Sequence, residues 1–135
     1  MKLLNYKLLL LLITLMASAA TPLPGFAEVP GKTKNATTAE VKQALLNTIK
    51  ATEDALKALK SGADPETVQQ HISDARQAVK GVEINRLDVI RTRTSEKLKH
   101  ARQALNKDEK SKTEELLTES LKNFQEMLRS FESGI

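Results

Sequence analysis

From Thr38 onward, apolar positions return every three or four residues in four successive blocks, the spacing of helices that each bury one face. The first carries Val41, Leu45, Thr48 or Ile49, Thr52, Ala55 or Leu56, and Leu59. It stops at Ser61-Gly62, where glycine can take the left-handed conformation that closes a helix. The second opens on Asp64-Pro65-Glu66, an acidic N-cap followed by proline at the first helical position. Its stripe is Val68, Ile72, Ala75, Val79 and Val82, with Gly81 weakening the end. The third starts near Asn85 and runs through Leu87, Ile90, Thr94, Leu98, Ala101 and Leu105, fading at Asn106-Lys107-Asp108. The fourth begins at Asp108 or Ser111 and continues through Leu117, Leu121, Phe124, Leu128 and Phe131. Alternating β-branched runs are absent. Four amphipathic blocks joined by short connections predict an all-α fold, an antiparallel up-down-up-down four-helix bundle over residues 38–135.

The first 37 residues follow a different pattern. Lys2 and Lys7 precede the apolar run of residues 8–16, and small residues follow. The run is too short to span a bilayer, and its flanks are those of a secretory signal peptide. Gly25-Phe26-Ala27 places small residues where a signal peptidase needs them, so cleavage is expected after Ala27, with Ala19 as the alternative. Residues 28–37 mix Pro, Gly, Lys and Thr without apolar periodicity and read as a flexible leader. These features predict a periplasmic or secreted protein that makes no stable membrane insertion once the signal is removed.

That division changes the meaning of the charge. The whole chain has 21 basic and 17 acidic residues, a net +4. Lys2 and Lys7 belong to the signal, which leaves 19 basic against 17 acidic residues and a net +2. A mixed surface of this kind gives nucleic acid no footprint. The absence of cysteine excludes disulfides, thiolate nucleophiles and thiolate metal sites. No glycine-rich phosphate loop or nucleophile elbow occurs, and catalysis is not expected.

Two histidines carry the remaining chemistry. His71 sits at the edge of the second stripe, three residues before Asp74. His100 lies far round from the third stripe, facing water, four residues after Glu96. Each pair offers an imidazole nitrogen and a carboxylate oxygen one helical turn apart, a combination suited to copper, nickel or zinc. A second surface feature is Arg86, Arg93 and Lys97 at helical spacing on the outer face of the third block, suited to an anionic headgroup or an acidic partner.

Around these residues the sequence repeats itself. Residues 73–81 read SDARQAVKG, residues 99–108 read KHARQALNKD, and residues 53–62 read EDALKALKSG. The shared alanines at 75, 78, 101 and 104 are expected to let helices approach closely, with the intervening Arg and Gln turned to solvent. These segments resemble the recurring motif of the small metal-binding proteins, exported bacterial four-helix bundles with a pattern close to Lys-His-Ala-x-x-Ala-aliphatic-x-His-Gly. The resemblance covers the signal and about 90 residues beyond it. It implies that His100 fills the first histidine slot, that Asp74 and Asp54 stand in the equivalent slots, and that Lys107 and Gly81 replace the second histidine. It also implies binding of several divalent ions, copper most often, and most of the family's histidine slots are lost here.

Two functions follow as expectations. One is a metal-binding or metal-buffering bundle with His71, Asp74, Glu96 and His100 as weak ligands. The other is a structural or interaction module that binds another envelope protein, as a stress adaptor or chaperone-like protein, without metal.

Overall fold

A computed structural model describes residues 36–134, all within one compact unit, Lys34–Ile135. The expected signal peptide, both cleavage sites and residues 28–35 of the leader lie outside the described residues. The described chain is all-helical, with four helices: α1 (Thr38–Lys60), α2 (Pro65–Ala78), α3 (Asp88–Asn106) and α4 (Lys110–Glu132).

Local chemistry sets most of the boundaries. Thr37 caps α1 through a reciprocal box: the Glu40 N–H donates to Thr37 Oγ1 at 3.3 Å, and the Thr37 N–H donates to Glu40 Oε2 at 2.7 Å. Each bond satisfies a donor that the first helical turn would otherwise leave open. At the other end, Gly62 takes φ +73°, which lets the Ala63 N–H reach back to the Ala58 carbonyl at 3.0 Å. Asp64 then accepts from the Thr67 N–H at 2.9 Å, with Pro65 at the first position of α2. Between α3 and α4 the left-handed position falls to Asp108, φ 58°, and the Glu109 N–H returns to the Ala104 carbonyl at 2.9 Å.

The connection from α2 to α3 is longer than the other two. It contains two 3₁₀ turns, Val79–Gly81 and Asn85–Leu87. Val79, Val82 and Leu87 are buried, so this segment belongs to the core. Gly81 presses on α1 so closely that a Cβ there would stand 3.0 Å from the Ala44 Cβ.

Consecutive helices pack on one another, and α1 also packs on α4, enclosing a single core. Leu45, Ile72, Leu98, Leu117 and Phe124 form its fully buried centre. Polar residues lie among them. The hydroxyls of Thr48, Thr52, Thr94, Thr113 and Ser120 are buried, and each donates to the carbonyl four residues earlier on its own helix. A part-buried side-chain bond crosses between α3 and α4, from Asn123 Nδ2 to Thr94 Oγ1 at 3.2 Å.

The inward faces match the periodic stripes with two differences. On α4 the buried line is Thr113, Leu117, Ser120, Phe124 and Met127, while Leu121, Leu128 and Phe131 flank it half-buried. On α3, Ala104 is buried and Ile90 and Leu105 are flanking. A stripe drawn through the largest apolar residues drifts off the true axis, because a flanking leucine reads as strongly apolar as a central one. The expectation that the Arg and Gln of both repeats face solvent holds for the glutamines and fails for both arginines, since Arg102 is half-buried as well. Gln77 and Gln103 are exposed, but Arg76 is half-buried and its Nε is sealed from water.

Candidate functional site

The four expected ligands stand on α2 and α3. His71 is half-buried at the edge of the α2 inward face, and Asp74, one turn on, is exposed. Asp74 Oδ1 accepts a hydrogen bond from Gln70 Nε2 at 2.9 Å. On α3 both Glu96 and His100 are exposed. Lys99 Nζ donates to Glu96 Oε2 at 3.3 Å, and His100 Nδ1 lies 3.2 Å from Gln103 Oε1. Each carboxylate thus has a neighbour on its own helix, and the His100 ring leans toward Gln103.

A carboxylate from a different helix lies within reach of the charge of His71. Asp54 on α1 is bound to Lys50 Nζ at 2.7 Å, and that hydrogen bond holds its carboxyl below the ordinary carboxylate value. Burial opposes the shift, and the charges of Lys50 and His71 add to it. Asp54 is one of the residues that the repeat aligns with His100. Among the described residues, however, no three His, Cys, Asp or Glu side chains are grouped so that they could hold one metal ion.

Positive charge is the more concentrated feature. Residues 85–107 carry seven basic and two acidic residues, so most of the net positive charge of the bundle rides on α3 and the turn before it. The basic side chains divide between the two flanks of the helix. Toward α4, a groove of about 420 Å³ is lined by Arg86, Val89, Ile90, Arg93, Lys97 and Asn123. Val89 is 63% exposed, the most exposed large apolar side chain among the described residues. Lys97 is paired with Glu119 of α4 at 2.5 Å, and that bond holds the Glu119 carboxyl below its ordinary value. Arg86 Nη2 donates to the Phe131 carbonyl at 3.4 Å, while Arg93 makes no ion pair among the described residues.

Toward α2, a cleft of about 260 Å³ receives Arg76 and Lys80 from one side and Arg91 and Glu96 from the other. Periodicity alone could place Arg86, Arg93 and Lys97 on an outer face. It could not find this cleft, because the cleft depends on the separation of two helices joined through a nine-residue connection.

These positions define a helical bundle whose charged groups lie on its outer seams. No protein-family model matches the chain, and neither a curated protein nor a solved structure is similar to it.

Proposed function

We propose that this protein is an exported binding module of the bacterial envelope. Residues 1–27 act as the signal peptide and are removed after Ala27. The remaining chain is an antiparallel up-down-up-down bundle that docks an acidic segment of another envelope protein in the α3–α4 groove. The antiparallel order is supported by the short turns and by two ion pairs. Lys42, early in α1, meets Glu132 at the end of α4 at 2.7 Å, and Lys60, at the end of α1, meets Glu114 early in α4 at 3.5 Å.

The observation that carries the docking reading is the juxtaposition of exposed Val89 with Arg86, Arg93 and Lys97. An apolar contact gives such a groove affinity, and the surrounding cations select an acidic partner and speed its approach. Among the described residues no helix is long and apolar enough to cross a membrane.

The test uses protein recovered from the periplasm of an expressing Gram-negative host, whose intact mass reads the cleavage site. An acidic amphipathic peptide and its lysine-substituted counterpart are titrated by fluorescence anisotropy. Saturable binding of the acidic peptide alone, weakened at least tenfold by Val89→Asp or Arg93→Glu, is expected. Equal binding of both peptides, preference for anionic lipid vesicles, or indifference to both substitutions would overturn docking. Full-length protein confined to the cytosol would overturn export.

A second reading, buffering of divalent metal ions, rests on the charge interaction between His71 and Asp54 across the α1–α2 seam. Titration with Cu(II), Ni(II) and Zn(II) tests it against the double variant His71→Ala, His100→Ala. Micromolar binding lost in that variant supports the reading; millimolar or unchanged binding sinks it.

A further inference from the structure

The cleft on the other flank of α3 holds an arrangement that packing does not explain. Arg76 Nε is buried and has no hydrogen-bond partner, and it is the one buried side-chain nitrogen or oxygen among the described residues left in that condition. A guanidinium N–H shielded from water and unpaired is costly, so the Arg76 head is fixed against the protein at its Nε side and offers its Nη edge to the cleft.

The hydroxyls beside it point the same way. Six helical Ser and Thr side chains in this bundle donate to the carbonyl four residues before them. Ser73, Thr92 and Ser95, which line the cleft, make no such bond among the described residues and keep their donors available. Lys80 and Arg91 complete the wall. Arg91 is held by Asp88 one turn earlier, and Lys80 Nζ donates to Gln77 Oε1 at 3.0 Å, so both heads are positioned by neighbours on their own segments. Glu96 is the only acid lining the cleft, and its carboxylate is engaged by Lys99. Among the described residues neither an ion pair nor a side-chain hydrogen bond joins α2 to α3, although ion pairs tie α4 to both α1 and α3.

We propose that the α2–α3 cleft is a binding site for a tetrahedral oxyanion of the phosphate class. The cleft lining carries three cations against one acid, a surplus of two positive charges that matches a phosphate dianion or monoester. The Nη edge of the planar Arg76 guanidinium suits two oxygens of such a group at once. The hydroxyls from both helices supply donors to the remaining oxygens. A carboxylate has only two oxygens and would leave several of these donors unused. Bound there, the anion supplies the polar link between α2 and α3 that the free protein lacks. The site is independent of the acidic-segment groove, which lies on the opposite flank of α3.

Free phosphate and a phosphomonoester lipid headgroup share this chemistry, and the test separates them. Uniformly ¹⁵N-labelled exported protein is titrated with inorganic phosphate, then with chloride at matched ionic strength. The expected result is saturable displacement of the Arg76 Nε–H resonance and of the Ser73, Thr92 and Ser95 amides by phosphate alone. Arg76→Lys, which keeps the charge and removes the fork, and Lys80→Ala, which removes an exposed cation, should each weaken binding about tenfold or more. Co-sedimentation with phosphatidylcholine vesicles, with and without phosphatidic acid, is the second arm. Retention by phosphatidic acid that is lost in Arg76→Lys assigns the headgroup; saturation by phosphate without retention assigns the free anion. If Arg76→Lys proves unfolded by circular dichroism, Lys80→Ala and Ser95→Ala decide the matter. Shifts that match those of chloride, or affinity unchanged in the folded variants, would overturn the site.

Discussion

Asp64 illustrates how a single side chain couples the fold to pH. Its carboxyl is held below the ordinary value of 3.8, first by the Thr67 backbone N–H and then by the Thr67 hydroxyl. The folded state therefore binds this proton less readily than the unfolded chain. Stability from the cap is present above the unfolded value and is lost as pH falls through the lower folded value. Asn caps a helix nearly as well but does not titrate. Asp64→Asn should thus leave the melting temperature at pH 7 nearly unchanged and flatten its decline in acid, measured by circular dichroism from pH 7 to pH 2. Arg76 and Arg102 teach the opposite lesson about legibility. They hold the same place in two copies of one four-residue segment, yet only Arg76 has a sealed, unpartnered Nε. The segment is identical in both, so the difference comes from what each helix packs against, which local sequence does not encode.

For the helices themselves, much was legible in the chain. Gly62, Asp64 and Pro65 punctuate the first turn as their conformational preferences require. Val41, Leu45, Val68, Ile72 and Leu98 fall inside as their spacing demands. The phase of α4 was less clear, because its apolar face is wide and a serine and a methionine lie on its centre line. Met127 is 1% exposed, and its neighbour Leu128 is half-buried. Met127→Ala should therefore cost about 2–4 kcal/mol and Leu128→Ala about half as much, read from urea midpoints at constant slope. The reverse order would place the α4 axis where hydropathy alone draws it. Of the candidate site, the edge position of His71 and the exposure of His100 follow from periodicity. The charge interaction of Asp54 with His71 joins different helices and required the packed molecule.

At the scale of the whole molecule, the core satisfies its polar atoms almost entirely within single helices. The surface distributes its cross-helix ion pairs between α1 and α4 and between α3 and α4. Exposed pairs of this type contribute little individually and weaken with salt. The bundle is held by its apolar centre, and the α2–α3 side is its least extensively packed neighbouring pair. A seam of that character can admit a ligand without breaking bonds between helices.

The brief turns at residues 61–64 and 107–109 also bear on how fast the molecule is made. Each joins two helices that make the most extensive contacts in the bundle, α1 with α2 and α3 with α4. Residues that must find one another are therefore already close along the chain, and little entropy is spent closing long loops. The dominant phase of refolding from urea should be complete within about a millisecond, as is usual for helical bundles of low contact order, beside a minor slow phase from chains with a cis bond before Pro65. A dominant phase lasting seconds in stopped-flow fluorescence of a tryptophan-tagged variant would contradict this. A chain so quick to close must be held extended to be threaded through a secretion channel, so the export proposed above requires that the chain be captured before the bundle forms.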